Sequence, residues 1–438
     1  MFHRRKFLIP ILLISVCLSQ GPFNGYGIGN AQNWNSASTS GASSLGLVSS
    51  YRKDISLANP TTWSKLKYTF LSISYSGYES KIKNDSKNGY SNLQSAQLIV
   101  PIKNKHALGI ELHPYSYQVI NMVDTLGNDD LIAFGDTLSL QKQFVQAGGI
   151  MAFDLSASTS IFYNTNIGLT FQFLFGSSRQ SKNLLVDEIP FSLSSRLNYS
   201  GVNTLLFFKQ SAFGFDFFLR SQFALNPLEA IQTKLYPYFD TNKNGYHDFT
   251  FDYLNPGYDF PNPNDVPAPE QNRILNIHDP SSLSIGLSNV INQRLQLSLE
   301  FGRSNENASY SEEMPNGFNK RIVENDKISV GAIWFSNEQS FRFLDNLTFR
   351  SGFVLNNYIL DELDNGSLLR LKSKSNVTEF GYSMGFGYKF KAVGNQIDFT
   401  YNSSLKIYEA SDFKEERLRG FQVGISIADI WFIKRRQR

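Results

Sequence analysis

The sequence has little cysteine, little charge and no long apolar runs. Cys17 is the only cysteine among 438 residues, so the fold can rely on neither a disulfide framework nor a thiolate metal site. Charged residues account for 18% of the chain, below the roughly 25% of a typical soluble domain. No run of about 18 uninterrupted apolar residues occurs, which excludes a bundle of transmembrane helices. The net charge of +3 gives no polyelectrolyte signal and excludes nucleic acid as a partner.

Aromatic side chains are abundant. The chain has 37 Phe and 21 Tyr, aromatic residues make up 14% of it, and hydrophobic residues make up 41%. The mean hydropathy is nevertheless negative, at -0.25. Apolar residues that are numerous but dispersed are typical of a soluble all-β protein or of a membrane β-barrel, in which they alternate with polar ones.

The amino terminus predicts export. His3-Arg4-Arg5-Lys6 precedes an apolar stretch from Phe7 to Leu18 that is too short to span a bilayer and suits the core of a signal peptide. Cleavage after Ser19 leaves small side chains at the positions that signal peptidase reads. Lipid attachment at Cys17 is the alternative, although Val16 is bulky where a lipobox has a small residue. We therefore predict that residues 1–19 are a signal peptide and that the mature chain has no cysteine.

Apolar and polar residues alternate repeatedly in the remaining chain. From Phe380 to Phe390 every second residue is aromatic or methionine, and the residues between them are glycine, serine and one lysine. The same pattern occurs in 161–175, 397–407 and 421–427. Strands that separate lipid from a polar interior must alternate in this way, because successive side chains point to opposite faces. The polar faces carry few Lys or Glu, which favours a shared wet interior over bulk solvent.

This alternation predicts about fourteen strands. They lie near 68–80, 91–101, 106–118, 141–154, 158–176, 191–209, 212–226, 281–289, 294–303, 323–335, 346–359, 377–390, 395–408 and 417–432. Their connections alternate between tight turns, as at 103–105, 155–157, 210–211, 290–293 and 391–394, and long polar loops, as at 119–140, 177–190, 227–280, 304–322 and 360–376. Outer-membrane barrels have short periplasmic turns and long extracellular loops. We therefore predict an all-β, antiparallel transmembrane β-barrel in the cell outer membrane.

Short motifs add a family resemblance. Gly41, Gly46 and Asp54 lead to Ala58-Asn59-Pro60 and then into the first alternating strand at Tyr68. The segment from Asp279 to Leu287 and the run Gly385-Phe386-Gly387-Tyr388 are further motifs. Together they resemble the FadL-type outer-membrane transport family, the channels for long-chain fatty acids and hydrocarbons.

The resemblance implies a hatch inside the barrel. Residues 20–64 would form it, with Asp54, Asn59 and Pro60 in the hatch or gate, and residues 65–438 would form the barrel with its long extracellular loop at 227–280. Ser, Gly, Asn and Ala dominate up to Ser50, so this stretch cannot fold a core of its own. A disordered periplasmic leader is the alternative.

Pro114 interrupts the third predicted strand. Proline donates no ladder hydrogen bond, so in a closed barrel it marks a bulge, a kink or a local gap. The alternative is that the strand ends there. In the family resembled, the third strand carries an inward kink that opens a lateral exit to the membrane. We therefore predict that His113, Pro114 and Tyr115 belong to a gate.

The longest loop contains a calcium-like motif. Asp240, Asn242, Asn244 and Asp248 place oxygen ligands at positions one, three, five and nine, with glycine at six, as in a calcium loop. Position twelve is Phe251, where a bidentate Glu is expected. The sequence predicts a structural calcium ion or, as the alternative, an Asn/Gly-rich turn. No other cofactor is expected.

The same loop is rich in aromatic residues: Tyr236, Tyr238, Phe239, Tyr246, Phe249, Phe251, Tyr253, Tyr258 and Phe260. They would form a capture groove for a hydrophobic ligand or the mini-core of the loop itself. For the capture groove we single out Tyr236, Tyr238, Phe239, Phe249 and Phe251.

No enzyme is expected, because the five histidines are scattered and no nucleophile elbow or paired metal-ligand motif is present. We predict a monomeric channel for passive uptake of hydrophobic small molecules, such as long-chain fatty acids or hydrocarbons, with lateral release into outer-membrane lipid near the third strand. The alternative is a protein-interaction barrel like the PorV-type secretion shuttles, which would bind cargo protein through its loops.

Overall fold

The computed structural model describes residues 21–31, 36–82, 87–102, 105–133, 136–162, 164–186, 189–239, 260–261, 265–292, 294–308, 320–337, 342–363, 372–390, 395–409 and 415–429. Its helical elements are α1 (Ala37–Ser40) and three 3-10 helices, Pro22–Gly25, Pro60–Lys65 and Phe343–Asn346. None of the helices in these ranges is long and apolar enough to cross a bilayer.

The strands follow one another along the chain. They are β1 (Asn30–Ala31), β2 (Thr69–Ile82), β3 (Lys87–Ile102), β4 (His106–Tyr117), β5 (Ile120–Ala133), β6 (Asp136–Phe162), β7 (Thr165–Val186), β8 (Ile189–Ala212), β9 (Phe215–Lys234), β10 (Tyr238–Phe239), β11 (Glu270–His278), β12 (Pro280–Ile291), β13 (Leu295–Glu306), β14 (Lys320–Trp334), β15 (Leu347–Leu363), β16 (Lys372–Lys389), β17 (Gln396–Tyr408) and β18 (Glu415–Asp429).

These strands form a closed antiparallel barrel of fourteen strands. Strands β2 to β4, β6 to β9 and β12 to β18 pair with their neighbours in sequence, and β18 closes the ring on β2. The two-residue strands β1 and β10 pair with β4 and β8. β4 and β5 both pair with β6 and form one barrel strand between them. β11 and β12 likewise pair in succession with β9. The predicted fold class is confirmed, and each predicted strand corresponds to one barrel strand.

The barrel is apolar outside and polar inside. In β12 the side chains of Leu283 and Ile285 are exposed, whereas Ser284 and Ser288 are buried. The same alternation runs through β13, where Leu297 and Leu299 are exposed while Gln296 and Glu300 are buried. Because side chains alternate along a strand, the buried polar set lines the lumen and the exposed apolar set forms a belt around the wall.

The two ends of the barrel differ. We call the end that carries the connections 103–105, 163–164, 213–214, 292–294, 335–346 and 390–395 the turn end, and the opposite one the loop end. Strands β6, β7 and β8, with 27, 22 and 24 residues, run far beyond the roughly 9–11 residues that a membrane-spanning strand needs. Most of this extra length lies toward the loop end.

Several predicted connections differ from those in the structure. The turn predicted at 155–157 lies inside β6, where the Oγ of Ser156 forms a 2.8 Å hydrogen bond with Oγ1 of Thr170. Small polar residues there face the lumen and do not turn the chain. The loops predicted at 119–140 and 177–190 are largely strand, since β5, β6 and β7 pair through them. The predicted loop 227–280 is shorter, because β9 reaches Lys234 and β11 begins at Glu270.

Candidate functional site

Residues 36–66, which we call the inner segment, lie within the ring of strands. Ala37 and Gly41 contact the barrel at Gly424 and Gly385, whereas Trp63 lies against Gly109 on the far wall. A Cβ atom added at Gly109 would be 2.4 Å from Cζ3 of Trp63. Because glycine has no side chain, the wall can approach the segment this closely. Similar close approaches occur at Gly168, Gly331 and Gly352.

The Asn-Pro motif is buried in this segment. Asn59 caps the 3-10 helix Pro60–Lys65, since its Oδ1 accepts from the backbone N–H of Thr61 at 3.1 Å. Its Nδ2 donates to the carbonyl of Leu47 at 2.8 Å. Pro60 packs against the wall at Gly168. The motif therefore joins two turns of the inner segment and fixes the segment against the barrel.

Asp54 has a different environment. It adopts a positive φ of 70°, and its carboxylate lies 3.5 Å from the ammonium of Lys65, with 39% of the side chain exposed. The structure thus places Asp54 in a solvated turn of the inner segment, apart from the buried Asn59–Pro60 contacts.

A carboxylate from the wall holds the middle of the inner segment. Oε1 of Glu300, on β13, accepts from the backbone N–H groups of Leu47 and Val48 at 3.0 and 3.1 Å. Its Oε2 accepts from the N–H of Leu45 at 2.6 Å. Hydrogen bonds to an ionised acceptor are about twice as strong as neutral ones. One buried side chain therefore satisfies three amides that no strand of the barrel could pair.

A buried ion pair holds the following residues. The guanidinium of Arg350 lies 2.7 Å from Oδ1 of Asp398 and donates from Nε to the carbonyl of Ser50 at 2.8 Å. Nε2 of Gln296 donates to the carbonyl of Ser49 at 2.7 Å. The turn half of the lumen is consequently filled by polypeptide that is hydrogen-bonded to the wall on several sides.

The ladder between β3 and β4 stops halfway. Its pairs run from Ile102–His106 to Ala96–Leu112, and the described residues show no further pairing between these strands. β3 nevertheless continues to Lys87, paired with β2. β4 continues along β6, with a bulge at Tyr115. The two strands therefore separate beside Pro114.

His113 and Pro114 are both buried at this separation. Nε2 of His113 lies 3.3 Å from Oδ2 of Asp154 on β6, and its Nδ1 is 3.1 Å from the carbonyl oxygen of Pro114. The amide of Gln172, on β7, is 3.4 Å from the same oxygen of Asp154. The side chain of His113, at the kink, thus belongs to a polar cluster on the inner face of β6 and β7.

Part of the gap is covered by the chain itself. Asn30 and Ala31 of β1 pair with Tyr117 and Ser116 of β4. Across the gap, the side-chain amide of Asn92 on β3 forms a hydrogen bond with the hydroxyl of Tyr117. The two residue pairs therefore cover the edge of β4 that faces the gap, and one side-chain contact joins β3 to β4 there.

A cavity of about 240 Å³ opens beside the kink in the loop half of the lumen. Its lining combines apolar residues, among them Ile28, Leu45, Tyr115, Leu205 and Ile277, with His278 and with charged residues, among them Arg220, Glu306, Arg321 and Lys327. A second cavity, of about 210 Å³, lies beyond Asn30, Ala31 and Leu45. The amino-terminal residues thus separate two spaces inside the barrel.

The predicted loop residues are only partly described. Tyr238 is buried, and its hydroxyl lies 3.1 Å from Oγ of Ser194. Phe239 pairs with β8, whereas Tyr236 is exposed. Phe249, Phe251 and the calcium positions Asp240, Asn242, Asn244 and Asp248 lie outside the described residues. Within the described ranges, no group of three or more His, Cys, Asp or Glu is placed to hold a metal ion.

Several residues of the lumen were not singled out from the sequence, notably Glu300, Arg350, Asp398, His278 and Glu306. Their partners are distant in the sequence, so no local motif indicates that these residues interact. One signal was available for Glu300 and Asp398: each is a charge on the polar face of a strongly alternating strand, and such a charge must face the lumen.

Comparisons with known proteins agree with this architecture. A Pseudomonas aeruginosa FadL homologue matches with a TM-score of 0.54 and 12% identity over 92% of this chain and 99% of that chain. The toluene transporter TbuX of Ralstonia pickettii matches with 0.51 and 11% over 93% and 99%. The CymD monoaromatic hydrocarbon channel matches with 0.50 and 10% over 92% and 99%. At these identities the likeness shows the fold.

Sequence comparison finds no match among curated proteins. A family model, in contrast, covers almost the whole chain: the BamG model matches residues 3–437. The chain therefore belongs to the BamG family.

Proposed function

We propose that this protein is an outer-membrane channel that takes up hydrophobic small molecules and releases them sideways between β3 and β4. The observation that carries the proposal is the ladder that ends at Ala96 and Leu112 although both strands continue. Backbone groups without partners cost several kcal/mol each in hydrocarbon. A gap of this kind in a barrel wall therefore calls for a functional explanation.

The filled turn half supports a lateral route. Glu300 and Arg350 bind the inner segment to the wall, so passage along the barrel axis would break several buried polar contacts at once. An apolar molecule in the loop-half cavity would contact Tyr115 at the kink as well as Leu45 of the inner segment. In this proposal the inner segment is the hatch, and Asn59 and Pro60 keep it seated.

The cavity lining supports an amphiphile such as a long-chain fatty acid. Ile28, Leu205 and Ile277 offer apolar surface, and Arg220 and Lys327 offer positive charge within the same space. An amphiphile with a carboxylate would match both the apolar and the positively charged parts of this lining, whereas a hydrocarbon would match only the apolar part. The aromatic residues Tyr236, Tyr238, Phe239, Phe249 and Phe251 would form the capture surface at the loop end.

A reversible cross-link tests the lateral route. Continuing the register of the β3–β4 ladder would bring Asn92 opposite Ser116, so cysteines at these positions, in a chain with Cys17→Ser, should close the gap when oxidised. We expect uptake of a radiolabelled fatty acid into vesicles containing the protein to fall several-fold on oxidation and to recover on reduction. Pro114→Val, which restores a backbone donor, should also reduce uptake.

The matched control is a cysteine pair at Val100 and Leu108, which already face each other in the same ladder. Its oxidation should leave uptake unchanged. Equal uptake by the oxidised Asn92–Ser116 variant and by the control would show that the substrate leaves by another way, and the lateral route would have to be abandoned.

A protein-interaction barrel is the second candidate, and the polypeptide that fills the turn half favours it. A barrel that binds a cargo protein through its loops needs no open path. A photo-reactive amino acid at Tyr236 should then cross-link a single protein in living cells, whereas one at residue 392 should not. Vesicles containing the wild-type protein would show no uptake of the ligand.

A further inference from the structure

We infer that Tyr115, His278 and Glu306 form a latch across the lumen that holds the kinked part of β4 away from β3. Tyr115 lies beside Pro114 on β4, and His278 lies at the end of β11, 163 residues further along the chain. The consequence for uptake rests on the function proposed above. The consequence for the distance between the strands does not.

The latch is a continuous hydrogen-bonded chain. The hydroxyl of Tyr115 lies 2.7 Å from Nε2 of His278, and the two rings meet edge to face with their centroids 5.7 Å apart. Nδ1 of His278 in turn contacts Oε2 of Glu306 on β13. A carboxylate only accepts hydrogen bonds, so Nδ1 carries a proton, and in the neutral imidazole Nε2 accepts from the Tyr115 hydroxyl.

Glu306 gives the latch a fixed end. Its Oε1 accepts from the backbone N–H of Asp279 at 2.7 Å and from that of Ala308 at 3.0 Å. Both amides belong to chain at the ends of paired strands. The carboxylate therefore has three contacts, two with backbone amides and one with His278, whereas Tyr115 lies on a strand that has lost one of its two neighbours.

The part of the barrel wall that carries His278 is also irregular. Between Ile274 and His278 the register of β11 against β9 shifts, and Asn276 adopts a positive φ of 53°. Only Asp279 separates β11 from β12. The latch thus joins two interruptions of the barrel wall, the kink of β4 and the break between β11 and β12.

Backbone hydrogen bonding determines how the gap between β3 and β4 should respond to loss of the latch. Above Leu112, β4 would gain backbone hydrogen bonds if it moved outward and paired with β3 again. Opposing this, the latch and the two-residue β1 hold Ser116 and Tyr117 inward. Removal of the latch should therefore shift β4 toward β3 and narrow the gap.

The test uses the Asn92→Cys and Ser116→Cys pair, with Cys17→Ser, in purified protein without ligand. Both side chains would face the lumen in a continued ladder, so disulfide formation reports how often the strands meet. Tyr115→Phe removes one hydroxyl and keeps the ring. We expect it to speed disulfide formation about fivefold, the ratio that corresponds to the loss of one net hydrogen bond. His278→Phe should act in the same direction.

Tyr408→Phe is the matched control, because Tyr408 is a buried tyrosine whose hydroxyl donates to Glu416 on β18, away from the latch. Disulfide rates that agree within twofold in the parent, Tyr115→Phe and Tyr408→Phe proteins would overturn the latch. Faster disulfide formation in Tyr115→Phe, together with no uptake by the wild-type protein, would uphold the latch and reject the channel. Uptake by the wild-type protein, together with equal disulfide rates in all variants, would uphold the channel and reject the latch.

Discussion

The indole ring of Trp63 occupies the space that a side chain at Gly109 would need. An added Cβ would lie 2.4 Å from Cζ3 and 2.7 Å from Cη2 of Trp63. The indole N–H donates to the carbonyl of Ser56 at 3.0 Å, so the ring cannot turn away without losing a buried hydrogen bond. The inner segment and the wall have therefore been fitted to one another at this point.

Gly109→Ala should loosen the inner segment. Overpacking of a filled site costs about 1–3 kcal/mol, and here the cost falls on Trp63 and on the 3-10 helix that contains it. We expect faster proteolysis within residues 36–66 and a lower midpoint of urea unfolding. Gly89→Ala is the control, because its Cβ would meet only one atom, at an ordinary 3.4 Å. Equal proteolysis of the two variants would refute the close fit.

Glu300→Gln should release the bend at Leu45–Val48. The amide keeps one acceptor oxygen and turns an NH₂ group toward backbone donors, so at least one of the three N–H groups loses its partner. A buried donor without a partner costs about 1–3 kcal/mol. Hydrogen exchange of residues 44–50 should quicken.

The control for this variant is Glu324→Gln. Glu324 forms a partly exposed ion pair with Arg303 at 2.7 Å, and such pairs contribute less than about 1 kcal/mol. The hydrogen exchange of residues 44–50 in the Glu324→Gln protein should match that of the wild type. A Glu300→Gln protein with unchanged exchange at residues 44–50 would mean that the carboxylate does not hold the segment.

Labelling of single introduced cysteines should reveal the orientation of the barrel. If the loop end faces outward, a membrane-impermeant maleimide added to intact cells should react within 240–259 and should not react within 391–394. After the outer membrane is made permeable, both positions should react. The opposite pattern in intact cells would invert the proposed orientation.

The calcium prediction concerns Asp240, Asn242, Asn244 and Asp248. If they bind the ion, a chelator should speed proteolytic cleavage between residues 240 and 251 in the wild-type protein. Asp240→Ala should be cleaved at that fast rate with or without calcium, while Asp265→Ala, outside the motif, should behave as the wild type does. If the chelator does not change the rate of cleavage in the wild-type protein, the motif is an ordinary turn.

The strands were predictable because lipid imposes a rule on each residue in turn. Phe380 to Phe390 must alternate wherever one face meets hydrocarbon and the other meets water, and the sequence shows this directly. The rule lapses beyond the membrane, where both faces of a strand meet water. Hence 119–140 looked like a loop, although β5 and β6 pair across it.

The lumen was less predictable than the wall. Pro114 was found because proline has a local consequence for the ladder. The contact of Glu300 with Leu47 spans 253 residues, and that of Tyr115 with His278 spans 163. Such pairs form because closure of the ring brings distant strands to opposite sides of one lumen. The sequence around one partner therefore does not indicate the other.

The inner segment contributes no strand to the ring, which β18 and β2 close on their own. A chain without residues 36–66 would keep every ladder of the wall but would enclose a space lined by hydroxyls, carboxylates and guanidinium groups. A barrel of this size is wider than those of about eight strands, whose side chains fill the interior. Such a space would fill with water and pass ions. In a bilayer, the electrical tightness of this protein thus depends on 31 residues of its amino-terminal region, and ion conductance would measure whether they are in place.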